Sequence, residues 1–149
     1  MKTTLLFLAY IGTTLTFACA AEEKASQVLH FDHEKVAALF EKGGPLLTTN
    51  TFKIQAGRRT SPGEVEIHAH DTDIFYIVEG SATFVTGGTA IEPKIVSEGE
   101  TRAKEISGGQ ARRLVKGDVI VIPTGVPHWF KEVDGLFLYY VVKVVDQKR

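Results

Sequence analysis

The sequence offers almost no sulfur chemistry. Cys19 is its only cysteine, and it lies in the apolar N-terminal stretch. Removal of that stretch would leave no thiol, which excludes disulfides, thiolate nucleophiles and thiolate metal sites from the rest of the chain. An excess of one charge is also missing: 17 Lys and Arg stand against 18 Asp and Glu, a net charge of −1. Such a balance argues against nucleic acid or an anionic membrane surface as the main partner. Beyond the N-terminus, no apolar run approaches the length of a membrane span. No internal repeat is visible, so two tandem barrels or bundles are not expected in 149 residues.

The N-terminus itself reads as a leader. Lys2 supplies a positive charge, Leu5 to Phe17 is a largely apolar stretch, and Ala18-Cys19-Ala20 places small residues where a signal peptidase reads. Residues 1–20 are therefore expected to be a signal peptide cut after Ala20, with the mature protein periplasmic or secreted. Lipidation of Cys19 is the alternative, although Thr16-Phe17-Ala18 matches the usual lipobox poorly. With 44% hydrophobic residues, the chain can build a core. An exported domain without disulfides depends on that core, or on a metal.

After a polar lead-in, Asp32 is placed to cap a short helix through Val36, Ala37, Leu39 and Phe40, ended by Gly43-Gly44-Pro45. Residues 21–46 thus form an N-terminal segment, and 47–149 the main domain. The domain reads as strands. Val65 to His70 alternates, and Ile74 to Glu79 is rich in β-branched and aromatic residues. Gly87-Gly88 and Gly108-Gly109 suit hairpin turns. Leu136 to Val145 is almost continuously apolar, as in a central strand or one at a dimer interface. One short helix among many strands predicts an all-β sandwich or barrel. Lys94 to Lys116 is long for a minimal barrel and suits a hairpin over a cavity mouth.

Strand geometry gives the histidines meaning. Residues two apart share a face, so His68 and His70 are expected side by side with Glu64 and Glu66 behind them, opposite Val65, Ile67 and Ala69. Burying the His/Glu set without partners is costly, and a bound cation removes that cost. His30 and His33 precede the strands and read as surface or capping residues.

Two motifs then carry a resemblance. Pro62-Gly63, His68-Ala69-His70 and Ile77-Val78-Glu79-Gly80 form the first; Gly117, Pro123-Thr124-Gly125 and His128 form the second. Together they resemble the cupin family, over roughly Gln55 to Val142. The resemblance implies a single small jelly-roll β-barrel, often dimeric, with one divalent metal near its mouth. By position the implied ligands are His68, His70 and His128. The usual fourth ligand is a glutamate, and Asp73 stands in its place. Asp73 is the preferred candidate and Glu66 the rival; three histidines completed by water is the remaining option.

A His-rich site with an oxygen ligand suits iron, manganese, zinc, nickel or copper. Open positions on such an ion allow dioxygenase-type oxidation, or Lewis-acid lyase or isomerase chemistry on a small molecule, with Glu66 or Tyr76 moving the proton. The rival class is a binding module that holds a sugar, a metabolite or a structural metal without turnover. Phe75, Phe84, Trp129 and Phe130 read as core or pocket wall.

Overall fold

The structure, a computed structural model, describes residues 27–146. The expected leader, its cleavage after Ala20 and the alternative lipidation of Cys19 lie outside the described residues. Asp32 Oδ1 accepts a hydrogen bond from the Lys35 N–H at 2.8 Å and caps α1 (His33–Phe40). The Gly43 N–H donates back to the Leu39 carbonyl at 2.8 Å, and the chain turns out of the helix. Phe40 meets the Tyr140 ring edge-on at 4.9 Å, which docks α1 on the sheet. No helix among the described residues is long and apolar enough to cross a membrane.

Eleven strands follow among the described residues. They are β1 (Gly44–Thr48), β2 (Phe52–Arg59), β3 (Val65–His68), β4 (Asp71–Thr86), β5 (Thr89–Ile91), β6 (Lys94–Ser97), β7 (Glu100–Ala103), β8 (Glu105–Ser107), β9 (Gln110–Val115), β10 (Val119–Ile122) and β11 (His128–Val145). The all-β expectation is met, and every strand pair is antiparallel. β4 and β11 form a long two-stranded spine, paired from Thr86 opposite His128 to Asp71 opposite Val145. One end of the spine extends through β10 on the β4 side and through β2 and β1 on the β11 side. The other end extends through β9 and through β3, β7 and β6. β5 and β8 pair separately.

The spine bends in the middle, where its register shifts three times between Phe130 and Tyr139. Gly80 sits at that bend with φ 79°, and a Cβ there would run into the Leu136 carbonyl. The shifts also change which residues face inward. His128 and Phe130 are buried at one end of β11, and Phe137, Tyr139 and Val141 at the other, so even positions give way to odd ones.

The core is mainly aromatic. Phe84 and Phe130 lie 4.5 Å apart between ring centroids, and Phe130 stacks on Tyr139 at 5.2 Å. Gly57 makes room for this stack, because a Cβ on it would overlap the Tyr139 ring. A smaller cluster of Val65, Val85, Ala103 and Ile106 covers the other face of β3. Both faces of β3 are therefore used: Val65 for packing, Glu66 and His68 for the cavity.

The placement of the core predicts that Phe84→Ala destabilises by about 3–5 kcal/mol in urea denaturation. Tyr76→Ala, on the outer face, should cost far less. A Phe84 variant no less stable than the Tyr76 variant would contradict this packing.

Candidate functional site

β3 meets the starts of β4 and β11, which lie at opposite ends of the bent spine and face each other across the barrel. β3 pairs with β7 from Val65 opposite Ala103 to His68 opposite Glu100, and ends there. The next residues bend, with the Ala69 N–H donating to the Gly99 carbonyl at 2.8 Å. The proline-glycine turn before β11 is tied to the first motif: the Gly125 N–H donates to the His68 carbonyl at 2.8 Å. That bond, and the pairing of His128 with Glu66, bring the two histidines together. Their rings lie 5.1 Å apart. Asp73 enters from the start of β4.

Ligand atoms of Glu66, His68 and His128 all lie within 4.8 Å of one another. Asp73 Oδ2 is 3.3 Å from His68 Nε2 and 3.7 Å from His128 Nε2. Glu66 Oε2 is 3.5 Å from His68 Nε2 and 4.0 Å from His128 Nε2. Ligands about 2.1 Å from a tetrahedral ion stand roughly 3.4 Å apart, so these separations are of the right size. His128 Nδ1 faces the Val126 carbonyl at 3.0 Å, which assigns its proton to Nδ1. Its Nε2 lone pair then points into the cluster, buried and without a hydrogen-bond partner among the described residues. His68 Nδ1 meets Glu100 Oε1 at 2.8 Å, a carboxylate behind an imidazole. Two imidazoles, two carboxylates and one orphaned nitrogen fit a divalent ion.

The remaining expected residues lie elsewhere. His70 was expected beside His68 by strand alternation, but β3 stops at His68 and the rule no longer reaches it. Its ring packs toward Gly99, and its carbonyl accepts the Asp146 N–H at 2.6 Å. Tyr76 lies on the outer face, 48% exposed, because inward positions on β4 are Asp73, Phe75 and Ile77. Three cluster residues had not been singled out. Lys143 Nζ is 2.8 and 2.7 Å from the two Asp73 oxygens. Arg102 reaches Glu66 Oε2 at 3.3 Å and Glu100 Oε2 at 3.5 Å. Glu100 itself backs His68.

These contacts set the charges. Burial opposes ionisation of Glu66, but the His68 hydrogen bond, Arg102, His128 and Arg59 outweigh it and hold its pKa down at about 2. Burial also disfavours a charged His68; hydrogen bonds to Asp73 and Glu66 overcome this and raise its pKa to about 9. Asp73 is held below the usual range, against its burial, by His68 and Lys143. At His128 burial dominates and lowers the pKa, so the ring is neutral with its lone pair free. Lys143 Nζ also stands 2.9 Å from His68 Nε2. That approach is a hydrogen bond only when Nε2 is unprotonated; otherwise both groups donate to Asp73.

A cavity of about 370 Å³ opens onto the cluster. Glu66, His68, Asp73 and Lys143 form part of its wall, with Tyr139 and Phe130 beside them. Val96, Ser97, Glu100 and Arg102 of the β6–β7 hairpin complete it, so the long inter-motif segment does border the cavity.

The family model for cupins matches residues 21–148. The chain belongs to the cupin family. No curated protein matches this cupin by sequence. Among solved structures, BH2720 from Bacillus halodurans aligns with a TM-score of 0.56 at 12% identity, over 86% of this chain and 87% of the other. The DMSP lyase DddQ from Ruegeria pomeroyi aligns with a TM-score of 0.51 at 18% identity, over 72% of this chain and 48% of the lyase. A cupin superfamily protein from Desulfitobacterium hafniense aligns at 0.48 and 17% identity, over 70% and 76%. At these identities the likeness is one of fold, the jelly-roll barrel.

The shifted groups make the metal-free protein's stability depend on pH. His68 is raised, so its contribution is complete below pH 6.5 and is lost as pH rises through about 9. Glu66 is lowered, so its contribution is complete above pH 4.5 and is lost as pH falls toward about 2. In EDTA, the urea midpoint is expected to fall between pH 6 and 9.5, and to fall less in His68→Gln. Identical slopes for the two proteins would refute this assignment.

Proposed function

We propose that this cupin is an exported metal-dependent enzyme that carries out lyase- or isomerase-type chemistry on a small polar molecule. The observation that carries the reading is His128 Nε2: buried, unpartnered, and aimed at His68 and two carboxylates on the wall of a substrate-sized cavity. His68, His128 and Glu66 are the proposed ligands, with Asp73 as the fourth. When bound, a divalent ion there supplies Lewis-acid polarisation of a substrate oxygen.

The chain's own groups support proton transfer over oxidation. The cavity wall carries Lys53, Glu66, Asp71, Asp73, Glu100, Arg102 and Lys143, which suits a polar substrate. With its pKa near 2, Glu66 is a weak base and a good ligand. The proton-carrying role falls instead to Tyr139, which lines the cavity. Its oxygen accepts a hydrogen bond from Arg59 Nε at 3.2 Å, leaving its own proton to donate, and burial raises its pKa and so keeps the hydroxyl protonated. Tyr76, on the outer face, is out of reach of this cavity. A lyase is among the proteins that share the barrel.

Export rests on the leader-like residues 1–20, and the family match begins at residue 21, just past the expected cut. Mass spectrometry of the protein from a secreting bacterial host is expected to give an N-terminus at Ala21.

Elemental analysis of the purified protein should find one divalent metal ion per chain, lost in His68→Ala and His128→Ala. No metal in the wild type, even after reloading with iron, manganese, zinc, nickel and copper in turn, would leave a binding barrel. Once a substrate is in hand, turnover is expected to persist without oxygen and to fall at least tenfold in Tyr139→Phe. A strict oxygen requirement would point to a dioxygenase instead.

A further inference from the structure

The position toward which the ligand atoms converge is not free of positive charge, because the chain puts a cation of its own there. Lys143 is the one charged residue between Leu136 and Val145, and β11 sets it directly opposite Asp73 on β4. Its ammonium spans both Asp73 oxygens, at 2.8 and 2.7 Å, and lies 2.9 Å from His68 Nε2. Asp73 is 1% exposed and the Lys143 side chain 12%, so this is a buried pair. A metal ion and an ammonium ask the same thing of Asp73, a lone pair along the line of approach. An ion about 2.1 Å from Asp73 Oδ2 and His68 Nε2 would stand no more than roughly 3.6 Å from the ammonium, where two buried positive charges repel strongly. Two cations cannot share that place.

We infer that Lys143 is a tethered competitor for the metal: it holds Asp73 beside His68 in the metal-free protein, and a divalent ion binds there only by expelling the ammonium into the adjoining cavity. The inference rests on the metal reading above. Three features support it. The lysine side chain is long and unbranched, and can swing without moving the backbone. The cavity is lined by Lys143 itself, so the displaced group has somewhere to go. Asp71 and Glu100 line the same cavity and offer carboxylates to receive it. Lys53, opposite Lys143 on β2, shows the arrangement is possible: its ammonium bonds Asp71 at 3.1 Å.

The arrangement has a clear consequence. Metal-free protein keeps its buried carboxylate paired and stays folded, while metal affinity is lower than the ligand set alone would give. Loading exchanges one buried cation for another.

The test is titration of the full mature protein and its Lys143→Met variant with cobalt(II), followed by visible absorption, and with zinc by calorimetry. The variant is expected to bind at least tenfold more tightly than the wild type. Equal or weaker binding by a folded variant, with the wild type still binding, overturns the displacement and leaves the metal reading standing. No binding by either protein overturns both. Should the variant fail to fold, the wild type still decides the matter. Lys143 labelling by an acetylating reagent, read by mass spectrometry, is expected to be several-fold faster in zinc-loaded protein. Labelling that is unchanged or slower on loading overturns the proposal.

Discussion

A buried carboxylate must be answered by positive charge, and Asp73 is the carboxylate on which this site depends. It is 1% exposed at the start of β4, where desolvation would otherwise force it to take up a proton. Lys143 and His68 answer it from two different strands. The register of the β4–β11 spine fixes the first partner, and the end of β3 fixes the second. The cluster is thus a product of strand pairing, with no long loop holding it in place. Sites built on paired strands hold their geometry more tightly than sites built on loops.

The bend in the spine serves the same end. Without the register shifts between Phe130 and Tyr139, His128 and Lys143, at even and odd positions of one strand, would face opposite sides of the sheet. The shifts let β11 contribute an inward histidine near one end and an inward lysine near the other. The aromatic stack of Phe84, Phe130 and Tyr139 fills the space between the half-sheets and gives the cavity a rigid wall.

Much of this was legible in the residues. The His-x-His pair and the proline-glycine-histidine turn marked His68 and His128, and strand parity put Glu66 with His68. The parity argument assumed that β3 continued to His70, and nothing local in Ala69-His70-Asp71 signals the bend that stops it. Tyr76 looked inward only while the parity of β4 was unknown; with Asp73 and Phe75 facing the cavity, Tyr76 must face away. Lys143 had a signal that went unused, a single charge in an otherwise apolar ten-residue run. Its partner could not be read, because it lies 70 residues away and the pairing depends on bulges that periodicity does not encode. Glu100 and Arg102 sit in the inter-motif segment, where charges of both signs are interspersed and none stands out.

Glu100 belongs at once to the hairpin that walls the cavity and to the set of groups that orient His68. In most designs a binding wall and a ligand support are separate parts, and one can drift while the other is conserved. Here they are the same strand. A change in β7 that reshapes the pocket for a different molecule also alters the tilt and basicity of His68. Over evolutionary time, the shape of the pocket and the orientation of His68 in this barrel are therefore inherited as one trait.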